Sequence, residues 1–252
     1  MRIFIERNLV HIESLGLLAL TRYIFELSVW ISLLEQSASF GLVYRVRQLE
    51  NNQKFYSDLK NHLLLEAKCF KQIDSEKNSQ IEKLARNAAN SPEPEELAAA
   101  IHSIEDAIDN RMALSFSIYG DEAKKNGYGF QAHLIEQKAI THAETKLAAI
   151  ERELQEYRNT WADTLKEIYP PNSKGEGRWK WKEQARRTNM LDEFNFIYSY
   201  TSRLLHAEPI GLTTDEKSLT YKEIILFARY ISSKINECMG KATQLINAST
   251  LH

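Results

Sequence analysis

The sequence predicts an all-α protein, and three observations carry that expectation. Apolar residues recur at three- and four-residue spacing along almost the whole chain, the period of helices with one buried face. No stretch alternates apolar and polar residues long enough to mark a strand. Glycine and proline number only nine and five in 252 residues. They gather at a few places, as expected where short breaks join long helices. A chain of this length holds one large domain or two small ones and can bury a substantial core. The expected arrangement is a helical bundle from residues 1–50 and 170–252, with a long helical hairpin or arm, 51–169, inserted between its halves.

The first helix is expected from Asn8 to Glu35. Its segment LGLLALTRYIFELSVWISLL, Leu15 to Leu34, is about as long as a membrane span. Arg22 and Glu26 lie at its middle, and each would cost roughly 2.5–3.5 kcal/mol there on insertion scales. A buried core helix is therefore expected, and no membrane association. After QSASFG a second helix should run from Leu42 to Asn87, highly charged beyond Lys71. NSPEPEEL, Asn90 to Leu97, reads as a break and restart, with Ser91 as N-cap and Pro92 or Pro94 in the first turn. A third helix should reach Ile118, where YGDEAKKNGYG ends it, and a fourth should run from Phe130 to Tyr169. Charge pairs one turn apart, such as Glu82 with Arg86, suit a solvated arm, which is also where a protein partner would dock.

YPPNSKGEG, Tyr169 to Gly177, is the most loop-like stretch. A short helix through WKEQARR follows, then one through EFNFIYSYTSRLLHAEP, stopped by Pro209 and Gly211. The last amphipathic helix has Thr214 or Ser218 available to cap its start.

Composition and motifs exclude several classes. The formal charge of −2 gives neither a chain-wide nucleic-acid surface nor an acidic tail, so any basic surface is local. Cys69 and Cys238 form no CxxC and no zinc spacing, which suits free thiols in the cytoplasm. There is no P-loop, GxGxxG or GxSxG. His133 with Glu136, and His102 with Glu105 and Asp106, have helical spacing, but no Glu-x-x-His or HExxH accompanies them. Neither metal nor cofactor is expected.

One polar constellation stands out. Arg22 and Glu26 share a helical stripe with Leu15, Ala19, Val29 and Leu33. Charges buried on such a stripe need further hydrogen-bond partners, because desolvation costs several kcal/mol per ion. Tyr198, Ser202 and His206 follow one another a turn apart, at the edge of the stripe Leu191, Phe194, Tyr198, Thr201 and Leu205. The two ends of the chain are thus expected to meet, with Arg22 and Glu26 against that row. A polar network that only sets helix register has the same residue types.

LTRYIFELSVWISLL resembles the R-x-x-x-E helix of a widespread group of bacterial all-helical proteins. Their later signature, a tryptophan-led short helix followed by Y-x-x-x-S-x-x-x-H, is matched in order by Trp179, Trp181, Tyr198, Ser202 and His206. That group is similar to the HEPN-type bundles of toxin–antitoxin and phage-defence proteins, many of which are metal-independent ribonucleases. The resemblance covers residues 8–50 and 175–245 and implies a helical effector acting on RNA. The chain lacks the R-x4-6-H spacing of HEPN ribonucleases: Arg203 precedes His206 by only three residues.

In a catalytic reading His206, whose unperturbed pKa lies near neutrality, is the acid or base. Arg22 stabilises developing negative charge, Glu26 orients it, and Ser202 and Tyr198 complete the row. A second candidate is the basic stretch GEGRWKWKEQARR. There Arg178, Lys180, Lys182, Arg186 and Arg187 surround Trp179 and Trp181, a mixture suited to phosphates and stacked bases. The same tryptophans would equally plug a core. The opposing functional class is a non-catalytic interaction or regulatory protein whose polar cluster is structural. A homodimer suits either class.

Overall fold

The computed structural model describes the backbone of residues 2–88, 94–169, 179–205 and 219–249, and the side chains of 14–86, 95–169, 179–201 and 219–247. The elements are α1 (Arg2–Gln36), α2 (Ser39–Ala88), α3 (Pro94–Ala113), α4 (Gly120–Asn126), α5 (Tyr128–Leu134), a π-helical stretch (Ile135–Ile140), α6 (Thr141–Thr160), α7 (Ala162–Ile168), α8 (Trp181–Arg187), α9 (Leu191–Leu205) and, last, α10 (Tyr221–Ser249). The fold is all-α, with no strand among the described residues.

The chain divides into two compact units, Met1–Arg45 with Trp161–His252, and Val46–Thr160. One boundary therefore falls inside α2 rather than after residue 50. The other falls at Trp161, where α6 gives way to α7, rather than at residue 170.

Several ends differ from expectation for local reasons. Pro94 opens α3, where a missing N–H costs nothing; Ser91, Pro92, Pro209, Gly211, Thr214 and Ser218 lie outside the described residues. α3 stops at Ala113 instead of Ile118, because Ser117 and Tyr119 are drawn onto Glu66 of α2. α10 starts from a capping box. The Thr220 hydroxyl accepts the Glu223 N–H at 3.4 Å, and a Glu223 carboxylate oxygen accepts the Thr220 N–H at 2.7 Å.

In the first unit α1 packs against α10, α9 and α8. Its buried side is only partly the expected one. Leu18, Phe25, Val29 and Leu33 are buried together with Ser14, Thr21, Ser28 and Ser32, whereas Ala19 is exposed and Arg22 and Glu26 are half-buried. Ser14, Thr21 and Ser28 stand seven residues apart. Thr21 and Ser28 donate to the carbonyls of Leu17 and Ile24, both at 2.8 Å, so their hydroxyls are satisfied within α1. These small side chains make a seam to the C-terminal part of the unit. The Ser14 hydroxyl accepts the Leu219 N–H at 3.1 Å, Ser28 Oγ lies 3.2 Å from Cys238 Sγ, and Lys241 donates to Ser32 at 2.9 Å. Residues 14–36 are long and apolar enough to cross a membrane, but half of that stretch is buried inside the protein.

The second unit has an apolar core of its own, more than a two-helix hairpin requires. Leu63, Ala67, Phe70 and Ile73 of α2 meet Ile108 and Met112 of α3, Ala123 of α4, and Tyr128, Ala132, Ile135, Ile140 and Ala143 further on. The π-helical stretch explains how the last residues stay on one side. In a regular α-helix Ile135 and Ile140 would lie about 140° apart. The wider π-helical turn narrows that angle, and both are buried.

Candidate functional site

The expected meeting of the chain's two ends occurs at one place. On α1 the Arg22 Nε–H donates to Glu26 Oε1 at 3.1 Å, with the two side chains 33% and 25% exposed. From α9, two turns past its start, the Tyr198 hydroxyl donates to the same carboxylate oxygen. The Arg22 guanidinium carbon stands 4.3 Å above the centre of the Tyr198 ring. That ring stacks on Phe194 at 4.2 Å and meets Phe25 edge-on at 6.1 Å. A hydroxyl, a carboxylate and a guanidinium therefore share one corner, walled by aromatic rings.

Electrostatics follow from this packing. Burial opposes the Arg22 charge, yet the hydrogen bond to Glu26 and the electrostatic attraction of Tyr198 and Glu26 outweigh it, and the guanidinium pKa is raised. Burial first, then the bond to Glu26 and its charge, push the Tyr198 phenol well above its ordinary range. Tyr198 stays a neutral donor in any physiological medium. Among the described residues, no carboxylate or carbonyl accepts a hydrogen bond from the two terminal amino groups of Arg22.

The rest of the expected row is only partly visible. Ser202 lies within α9, of which its backbone alone is described, and His206 lies outside the described residues, immediately after the last residue of that helix.

In the basic stretch the tryptophans pack against protein while the described bases face solvent. Trp179 stacks on Trp30 at 4.3 Å and 14°, and Trp181 meets Trp30 and Trp179 edge-on at 6.1 and 5.7 Å. Tyr44 meets Trp30 at 5.1 Å and Tyr169 meets Trp179 at 6.3 Å. One face of Trp179 is thus occupied by protein. Lys180, Lys182, Arg186 and Arg187 are exposed, and Lys180 pairs with Glu183 at 2.9 Å. Arg178 lies outside the described residues.

Histidine–carboxylate spacings on the arm give no chelate: His102 contacts Glu105 at 3.3 Å, and Glu136 is paired with Lys71 at 2.6 Å. No group of three or more His, Cys, Asp or Glu among the described residues is placed to hold a metal ion.

Two polar clusters were missed by sequence reasoning. Glu193 of α9 accepts from Tyr230 at 2.8 Å and Lys234 at 3.2 Å, and Lys241 joins Glu35 at 2.9 Å and Glu237 at 3.3 Å. No spacing within one helix signals a network shared by three. The other is Glu66, 6% exposed, which takes the Ser117 hydroxyl and the Tyr119 N–H at 2.9 Å. The signal in the sequence was a carboxylate on the apolar stripe of Leu63, Phe70 and Ile73.

Comparison of the chain with protein-family models, with curated proteins and with solved structures finds no match.

Proposed function

We propose that the protein is a HEPN-like cytoplasmic effector of the toxin or phage-defence kind, acting on RNA at the corner of α1 and α9. The reading rests on the resemblance of both motifs and on one observation. Arg22 is pinned by Glu26 through its Nε–H and by the Tyr198 ring, with its side chain a third exposed. A guanidinium held so rigidly loses little entropy when it grips a phosphate oxygen. Arg22 then stabilises the charge that develops on the phosphorus oxygens. His206, following directly on α9, moves the proton. Glu26 and Tyr198 hold the arginine, and Ser202 positions the attacked group. No metal is needed, because the cation is the guanidinium itself.

The test has two halves on the same variants. Expression of the wild-type chain should arrest growth, and Arg22→Ala and His206→Ala should each relieve the arrest. The purified chain should cleave RNA in the presence of a chelator, and both variants should lose cleavage while keeping the wild-type melting temperature to within a few degrees. Unimpaired toxicity and cleavage in His206→Ala would sink this reading. The commitment of Glu26 to partners on two helices favours a second reading, a non-catalytic interaction protein whose corner sets helix register. Loss of function strictly in proportion to loss of stability would select it.

A further inference from the structure

Between Ser232 and Ile246, α10 has two unlike sides. Its charged residues there are Lys234, Glu237 and Lys241. All three are engaged: Lys234 with Glu193 at 3.2 Å and Glu237 at 3.1 Å, Lys241 with Glu35 at 2.9 Å and Glu237 at 3.3 Å. The opposite side is exposed and carries no charge. Ile235, Met239, Ala242 and Ile246 follow at spacings of four, three and four. At 100° per residue they fall within a wedge of about 60°. Ile235, Met239 and Ile246 are 38%, 64% and 62% exposed. Ser232, Asn236 and Thr243, beside them, are exposed and neutral, and the Thr243 hydroxyl donates to the Met239 carbonyl at 2.9 Å.

Charged residues make up 26% of this chain and belong on exposed surface, so four turns of exposed helix without one mark a surface made to be covered. The four-three-four spacing is that of a seam between helices. Charge selects what covers it. Nucleic acid or a charged protein face would meet no opposite charge here, whereas a second copy of the chain would meet no like charge. The stripe also complements itself. About a twofold axis between Met239 and Ala242, Ile235 meets Ile246 of the second copy, and Met239 packs on the small Ala242 of that copy. The neighbouring helix enlarges the face. α1 runs parallel to α10, with Ser14 meeting Leu219 and Ser28 meeting Cys238. Leu20, 45% exposed, lies about 80° round α1 from Ser28 and on the side away from Glu26 and α9. On α10 the stripe is likewise turned away from Tyr230 and Lys234, which reach Glu193 of α9. Leu20, Ile235, Met239 and Ile246 together offer on the order of 400 Å² of apolar surface, close to the apolar share of the roughly 800 Å² each partner gives to a standard dimer. We propose that this face joins two copies of the chain into a twofold dimer, with α10 antiparallel to α10. The dimer does not rest on the Arg22 corner.

Sedimentation equilibrium of the whole chain, from low to high micromolar concentration, should show a reversible monomer–dimer equilibrium. Ile235→Lys with Met239→Lys puts uncompensated charge into the seam and should weaken association about 100-fold or more. Circular dichroism should show the helix content of the wild type, because both side chains are exposed. Cross-linking tests the pairing without weakening it. Ile235→Cys with Ile246→Cys should give a covalent dimer on mild oxidation. Leu226→Cys, 51% exposed on the far side of α10, and the wild-type chain with Cys69 and Cys238 should not. A chain that stays monomeric at high micromolar concentration, a dimer untouched by the two lysines, or cross-linking through Leu226→Cys instead would overturn the proposal. Capture of the monomer by phosphatidylcholine vesicles, abolished by the same two lysines, would overturn it too and make the face a lipid surface.

Discussion

Replacing Tyr198 by phenylalanine removes one hydroxyl and leaves the ring. Stacking on Phe194, the edge-on contact with Phe25 and the contact with Arg22 persist, so the variant isolates the bond to Glu26. Hydrogen bonds to charged groups contribute about 1.5–3 kcal/mol. The corner is only half-buried, which reduces the contribution to about 1–2 kcal/mol. For a chain of this size that lowers the melting temperature by about 2–8 °C. A double-mutant cycle with Glu26→Gln gives the coupling itself, since each change also disturbs Arg22. The pH dependence has a definite sign. The Tyr198 pKa is raised in the folded state, so its contribution is complete below the unfolded phenol pKa of about 10 and is lost as pH climbs toward the folded value. The stability gap between wild type and Tyr198→Phe should therefore be flat from neutrality to about pH 9 and shrink beyond about pH 10. Urea unfolding at a series of pH values measures it. A gap below a few tenths of a kcal/mol with no coupling to Glu26, or one that widens in alkali, would refute the reasoning.

Other expectations follow from single features. Phe70→Ala, at the centre of the second unit's core with no exposed surface, should cost about 3–5 kcal/mol, read by urea unfolding, with protection against hydrogen exchange lost first in residues of that unit. Gly127 has φ of +91°, so Gly127→Ala should destabilise by about 1–3 kcal/mol although a β-carbon there would meet nothing within 4 Å. Lys180→Glu with Lys182→Glu should leave the melting temperature nearly unchanged, as both are exposed. If the basic stretch touches RNA phosphates, the double change lowers the salt slope of binding, and an unaltered slope restricts Trp179 and Trp181 to their packing role.

The helical period was the easiest part of this chain to read, because three- and four-residue spacing is written locally. Helix ends were harder. α3 ends early for a reason on another helix, the attraction of Ser117 and Tyr119 to Glu66, and nothing within the stretch 114–119 announces that. At the candidate site, the argument that Arg22 and Glu26 require a polar partner led to Tyr198, since the cost of lone buried charge is general. The buried face of α1 was read only in part, because hydroxyls count as polar in any stripe. Ser14, Thr21 and Ser28 are buried since two of them spend their donors on α1's own backbone carbonyls and the third takes the Leu219 N–H. The second unit read as a solvated arm because its charges lie on the outer sides of helices whose inner sides touch only in three dimensions.

The π-helical turn at Ile135–Ile140 has a consequence for chain length. It absorbs one residue more than a regular helix would, and Glu136, Gln137, Lys138 and Ala139 lie between the two buried isoleucines. Removing any one of those four leaves Ile135 and its partner four apart, the ordinary α-helical spacing, so both can keep their places against the core. Removing one residue from α6 beyond the turn has no such remedy and rotates every later side chain by about 100°. The protein therefore carries a spot where a helix can be shortened by one residue without changing which side faces inward, and homologues that lack a residue there would have the same core with a plain α-helix through it.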